Sequence, residues 1–141
     1  MLIGYLRPDS TTVHFMDMED TNENWHSLLG CSTIETHRLN RSGSIVFLCD
    51  ESGLLKEDQK PCLFWGDSVL IGSIGFAHEP DREGNLQALT IYDVHQIMQY
   101  CSTHAAWQTD MSEEGFKALH AQTVTESEKK PVQAKRKKVR L

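Results

Sequence analysis

The sequence lacks the features typical of membrane proteins and of secreted, disulfide-bonded proteins. No apolar run approaches the roughly 18 to 20 residues needed to cross a bilayer. The first eight residues contain no basic stretch followed by a long apolar one, so we expect no signal peptide. The four cysteines are scattered, with no CxxC pair, which is typical of buried thiols in a reducing compartment. We therefore expect an intracellular protein with no membrane partner.

Motifs for nucleotide and ester chemistry are also missing. Neither G-x-x-x-x-G-K-[ST] nor G-x-G-x-x-G occurs, and G-x-S-x-G is absent; the nearest string, residues 72–75, has the wrong spacing and is typical of a buried strand. His95, Cys101 and His104 are possible metal ligands, but no second cluster completes a site. A buried Cys beside a His at a helix end explains them better. We expect no enzymatic activity, no metal and no cofactor.

Charge is divided unequally along the chain. Residues 1–122 carry 7 Lys or Arg against 18 Asp or Glu, a net charge of −11, whereas residues 123–141 carry 7 against 2, a net charge of +5. Apolar content also falls sharply after residue 122, which predicts one acidic globular domain followed by a disordered basic tail. Because an acidic domain repels phosphate, we expect nucleic acid to bind through the tail only, if it binds at all.

The periodicity of apolar residues predicts an α+β domain. The predicted elements are strands at residues 1–8 and 11–18, a helix at 21–30, strands at 32–39 and 44–49, a loop at 57–66, a central strand at 68–76, a helix at 91–103 and a short helix at 112–120. The central strand is expected to bend or pack closely near Gly72 and Gly75. Together they predict a mixed or antiparallel sheet of about five strands, with two to three helices packed on one face. The residues of the helix at 91–103 that are expected to face the sheet are Ile91, Val94, Ile97, Met98 and Cys101.

Polar and aromatic residues in the turns and on one strand are candidates for a ligand or partner surface. They are His37, Arg38, Asp50, Glu51, Trp65, Asp81 and Glu83. The first two could bind an anion or simply lie on a solvated strand face. The four acidic residues form two pairs that could hold a cation or act as acid and base, or could only cap their Gly-containing turns. An exposed tryptophan at the end of a loop would suit a protein-binding or base-stacking surface.

The tail contains a more specific motif. Lys135, Arg136, Lys137 and Lys138 follow one another and resemble a monopartite nuclear import signal. Short basic runs of this kind also bind nucleic acid or anionic surfaces. The alternative is a tail that only solubilises the protein.

A set of runs in the middle of the chain carries a family resemblance. The runs are LLGCSTIE at residues 28–35, FLCDESGLLK at 47–56, VLIGS at 69–73, EGN at 83–85 and LT at 89–90. Over about residues 28–98 the chain resembles domain-of-unknown-function family 3846, small proteins of bacteriophages, plasmids and actinobacteria. The D-E-x-G-L-L-K turn is its best signature. This chain departs from the family after that turn, where residues 57–61 replace the usual Asn and Pro, and in its basic tail.

The resemblance implies a viral or mobile-element accessory protein and brings no catalytic residues with it. We therefore expect a non-enzymatic binding module that acts on a host protein or a small ligand in the host cytoplasm. Acidic domains of this size can mimic nucleic acid or occupy basic sites on host enzymes. The alternative is a nuclear or nucleic-acid-associated factor directed by the tail in a eukaryotic host. A small enzyme is the least favoured hypothesis.

Overall fold

The computed structural model describes residues 1–56 and 60–106. The elements in chain order are β1 (Leu2–Leu6), β2 (His14–Asp17), α1 (Asn22–Leu29), β3 (Ile34–Arg38), β4 (Ile45–Asp50), a 3-10 turn (Gly53–Leu55), β5 (Pro61–Trp65), β6 (Ser68–Ile71), β7 (Ile74–His78) and α2 (Ile91–His104). None of the helices in this part of the chain has the length and apolarity that crossing a bilayer requires. The helix predicted at residues 112–120 and the basic tail lie outside the described residues.

Five strands form one antiparallel sheet in the order β2-β1-β7-β4-β3. β5 and β6 form a separate antiparallel pair. The predicted α+β class, with a five-stranded sheet, is therefore confirmed. Every residue of β4 is buried, since this strand has a neighbour on each side and apolar residues packed on both of its faces.

Two strand assignments made from the sequence are wrong. Residues 57–66 were expected to form a loop, yet Pro61–Trp65 is β5 and pairs with β6. Residues 68–76 were expected to form one central strand, yet they contain β6 and the start of β7, which belong to different sheets. The break lies at Gly72, whose φ of 86° turns the chain out of one sheet and toward the other. The bend expected near Gly72 is therefore present, but it separates two strands instead of bending one, and a continuous apolar run does not reveal that difference.

The two helices contribute to separate parts of the core. Successive side chains of β4 point to opposite faces of the sheet. Phe47 belongs to a cluster that includes Ile97 of α2, whereas Leu48 belongs to a cluster that includes Trp25 of α1. The prediction that all helices pack on one face of the sheet is therefore not confirmed.

The buried stripe of α2 also differs from the predicted one. Ile97 and Cys101 are buried as expected, but Ile91 is 72% exposed and Met98 is 54% exposed. Asp93 is instead only 1% exposed. Hydrogen bonds with the side chains of Ser44, just before β4, and His78 of β7 hold this carboxylate inside, so the helix is rotated away from the orientation that apolar periodicity alone predicts.

Candidate binding groove

A groove of about 570 Å³ lies on the α1 side of the sheet, bordered by α1, β3 and the loop at residues 81–86. Four apolar residues, Trp25, Ile34, Leu48 and Leu86, contribute its floor. Three of them are almost fully buried, so most of the surface that the groove exposes is polar. Binding sites usually combine more apolar surface with a few polar groups, so this groove is more polar than most.

The charge of the groove is negative. Asp20, Glu51 and Glu83 line it, and none of its lining residues in the described part of the chain is Lys or Arg. His26 is the one lining side chain there that becomes cationic on protonation. The negative potentials of carboxylates around a concave surface add together, so the groove attracts cations.

Asp20 holds the two walls of the groove together. Its Oδ1 accepts a hydrogen bond from Nε1 of Trp25 at 2.9 Å, and its Oδ2 accepts one from the backbone N–H of Leu86 at 2.9 Å. One carboxylate therefore joins α1 to the loop at residues 81–86. Asp20 could not be predicted as a site residue from the sequence, because an acidic residue just before a helix is a common local feature and its partner Leu86 is 66 positions away.

The side chains of Asp81 and Glu83 have different roles in the loop at residues 81–86. Oδ1 of Asp81 accepts hydrogen bonds from the backbone N–H groups of Glu83 and Asn85, at 2.9 and 3.0 Å. Gly84 completes this turn with a φ of 87°. The carboxylate of Asp81 thus caps its own turn, which was one of the two alternatives expected for this acidic pair. Glu83 instead lines the groove.

Asp50 and Glu51 differ in the same way, because one makes contacts within its own turn and the other lines the groove. The side chain of Asp50 is only 3% exposed; its Oδ2 lies 2.6 Å from Nζ of Lys56 and its Oδ1 accepts the N–H of Ser52. Glu51 lines the groove. In the same turn, a Cβ atom on Gly53 would lie 2.8 Å from the carbonyl oxygen of Ile71, so this position requires glycine. The D-E-x-G-L-L-K turn is therefore a packed junction that also contributes Glu51 to the lining of the groove.

His37 and Trp65 lie together on the opposite face of the sheet from the groove. The ring of His37 is 5.2 Å from that of Trp65 and 5.4 Å from that of Phe47, and its Nε2 is 2.7 Å from Oε1 of Glu35. Trp65 is half-buried and donates its indole N–H to the carbonyl of Leu39 at 3.0 Å. These contacts form an aromatic cluster at the sheet edge, separate from the acidic residues of the groove.

Arg38 does not form the predicted anion-binding pair with His37. Consecutive residues of a strand point to opposite faces, so the two side chains diverge. The guanidinium of Arg38 instead donates to the carbonyl of Gly43 at 2.8 Å and lies 3.0 Å from Oε1 of Glu79. The residues that the sequence grouped by proximity are therefore separated by the strand geometry.

A second polar cluster lies at the start of α2, centred on Asp93. Its Oδ1 accepts from the hydroxyl of Ser44 at 2.9 Å, and its Oδ2 lies 2.8 Å from Nδ1 of His78. The backbone N–H of Thr90 also donates to Oδ2, which completes a capping box between Thr90 and Asp93. Burial favours a raised pKa for Asp93, but the hydrogen bonds outweigh it and hold the pKa below its usual value. Both Ser44 and His78 bind the carboxylate, which differs from a catalytic triad, where the serine bonds to the histidine.

No group of three or more His, Cys, Asp or Glu residues within residues 1–56 and 60–106 is arranged to hold a metal ion. The suspected ligands have other contacts. Cys101 is buried, and desolvation raises the pKa of its thiol to about 12. His104 stacks on Tyr100 with ring centroids 3.9 Å apart. Lys135, Arg136, Lys137 and Lys138 lie outside the described residues.

No family model, curated protein or solved structure matches the chain. The resemblance to family 3846 therefore stays a prediction from the sequence.

Proposed function

We propose that the protein is a non-enzymatic binding module whose groove takes a positively charged segment of a partner protein. The observation that carries this proposal is the combination of three groove carboxylates, Asp20, Glu51 and Glu83, with an apolar floor. Lysine and arginine match both features, because their aliphatic stems pack on apolar surface while their charged heads seek anions. The net charge of −11 on residues 1–122 disfavours nucleic acid as the partner of this groove.

We further propose that the partner is a host protein and that this chain is a viral or mobile-element accessory protein. This part of the proposal rests on the resemblance to family 3846. Three of the runs that carry the resemblance also contribute residues to the groove, namely residues 28–35, 47–56 and 83–85. The runs that carry the resemblance thus coincide in part with the candidate site.

A basic peptide tests the groove directly. We expect a fluorescein-labelled peptide of alternating Lys and Thr to bind the full chain. The double variant Glu51→Gln and Glu83→Gln should bind the peptide about tenfold more weakly, because it loses two partly exposed ion pairs. The measurement is fluorescence anisotropy at low salt. Affinity should fall as salt is added, since the carboxylates act through screened charge.

The matched control is the double variant Asp17→Asn and Glu23→Gln. Both residues are exposed, neither lines the groove, and the change in net charge is the same. We expect this control to retain nearly full affinity. Equal weakening by the two double variants would mean that only net charge attracts the peptide, and it would overturn the proposal. Failure of the unmodified chain to bind the peptide at low salt would overturn it as well.

The basic tail supports a second candidate function, a nuclear or nucleic-acid-associated factor. Residues 123–141 carry a net charge of +5 and include the run from Lys135 to Lys138. We expect the chain, fused to a reporter too large to diffuse through nuclear pores, to accumulate in the nucleus of a eukaryotic cell. Deletion of residues 123–141 should return the fusion to the cytoplasm. A truncated fusion that stays nuclear would contradict this role for the tail.

A further inference from the structure

The strand that borders the groove is also an edge of the sheet. β3 stands last in the order β2-β1-β7-β4-β3, and no strand in the described part of the chain pairs with its outer side. An edge strand presents backbone N–H and C=O groups that are available to an added strand.

The hydrogen bonds between β3 and β4 show which residues present those groups. The carbonyl of Thr33 accepts the N–H of Glu51, and the N–H of Leu39 donates to the carbonyl of Ile45. In an antiparallel pair, alternate residues point their backbone groups at the partner strand. The odd-numbered residues of β3 therefore face β4, and the even-numbered residues, Ile34, Thr36 and Arg38, direct their N–H and C=O groups outward.

The same even-numbered positions supply side chains to the groove. Ile34 and Thr36 both line it. In a sheet, a residue directly opposite Thr36 on an added strand has its side chain on the same face as that of Thr36. That side chain would lie beside the acidic groove, whereas its sequence neighbours would lie beside the aromatic cluster of His37 and Trp65.

From this coincidence we infer that the partner segment binds as a sixth strand along the open edge of β3, with Lys or Arg at alternate positions directed into the groove. The inference rests on the proposed function and adds the mode of binding to it. Backbone hydrogen bonds to residues 34, 36 and 38 provide affinity, and the groove selects basic side chains at every second position. The partner is thus an extended peptide segment with alternating basic residues.

Peptide order tests the alternation. A peptide of the same composition, with its Lys residues consecutive rather than alternating with Thr, cannot place all of them on one face of a strand. We expect it to bind at least several-fold more weakly than the alternating peptide. Equal affinity for the two peptides would overturn the inference, because it would mean that total charge is all that the groove recognises.

Backbone methylation tests the strand pairing. N-methylation of the peptide residues whose N–H groups face β3 should weaken binding at least tenfold, by removing hydrogen bonds and adding bulk at the strand edge. N-methylation of the intervening residues should have a much smaller effect. Because the register is unknown in advance, the two alternate sets of positions are both made, and the inference requires one to bind far more weakly than the other.

Amide hydrogen exchange locates the bound strand. On addition of the alternating peptide, the amides of Ile34, Thr36 and Arg38 should exchange at least tenfold more slowly, as they gain hydrogen bonds. The amides of Glu35 and His37 face β4 and serve as internal controls in the free protein. If these three outward amides stay unprotected and both methylated sets bind equally, strand addition is overturned. Weakening by the Glu51 and Glu83 variants in that same case would leave the proposed function standing.

Discussion

Replacing Gly75 with alanine is expected to destabilise the protein by about 2 to 3 kcal/mol, the upper range for overpacking a core. A Cβ atom at this position would lie 2.6 Å from Cζ3 and 3.2 Å from Cε3 of Trp25. The tryptophan is only 2% exposed and its indole N–H is held by Asp20. β7 is held between β1 and β4, and the ring is held by Asp20, so the added methyl group can be accommodated only by a shift of packed groups. Urea unfolding with a constant m-value measures the change.

Gly43→Ala is the matched control for this substitution. A Cβ atom there would meet nothing closer than 3.5 Å, and this half-buried glycine lies between β3 and β4, outside both strands. Its effect should stay within about 0.5 kcal/mol, as for most surface substitutions. If the two alanine variants unfold at the same urea concentration, contact with Trp25 is not what prevents a larger side chain at position 75.

A double-mutant cycle assigns the cost to the ring. Trp25→Leu removes the six-membered ring that the new methyl group would contact, at its own cost in buried surface. In that background Gly75→Ala should be clearly less destabilising than in the unmodified chain. Simple additivity of the two free-energy changes would show that the strain has another source. Because Trp25 also forms part of the groove floor, we expect Gly75→Ala to weaken binding of the basic peptide as well.

The two helices were predicted from the sequence and are present, because local signals mark their ends. Thr21 caps α1 through a hydrogen bond from the N–H of Asn24, and Gly30 ends the helix with a φ of 66°. The capping box from Thr90 to Asp93 begins α2. Each of these features depends on residues within four positions of one another, so a pattern in the sequence is sufficient to predict it.

The change of sheet at Gly72 and the position of α2 depend on distant contacts. β6 and β7 are separated by two residues, yet β6 pairs with β5, and β7 pairs with β1 and β4. The burial of Asp93 depends on Ser44, 49 positions away. No local periodicity carries this information, because the choice between one strand and two is made by which partners are available in the folded chain.

The groove was predicted only in part, for the same reason. Glu51 and Glu83 were both identified as surface candidates, but as members of the pairs Asp50–Glu51 and Asp81–Glu83. In the structure one member of each pair shapes its own turn and the other faces the groove. Asp20 joins them from a third segment. Carboxylates from three separated segments form one site only after the sheet and α1 have brought them together.

Replacing Asp93 with alanine is expected to cost about 2 to 4 kcal/mol, because it removes a helix cap and leaves buried polar groups without their partner. The hydroxyl of Ser44, the ring of His78 and the backbone N–H of Thr90 all bond to this carboxylate. Together they fix the start of α2 against β4 and β7. Asp93→Asn keeps the shape and one acceptor, so it should cost less than Asp93→Ala. Thermal or urea unfolding near neutral pH measures both.

The pH dependence of stability distinguishes the contribution of the Asp93 charge from that of its size and packing. Its pKa is lower in the folded protein than the usual value of 3.8, since hydrogen bonds to the charged form outweigh desolvation. The stabilisation is therefore complete above about pH 5 and is lost as the pH falls through 3.8 toward the lower folded value. Asp93→Asn should show a shallower loss of stability over that acidic range than the unmodified chain, whereas Asp17→Asn, which removes an exposed carboxylate, should not. If both variants lose stability with acid as steeply as the unmodified protein, the folded structure does not stabilise the charged form of Asp93, and the interpretation of its hydrogen bonds is wrong.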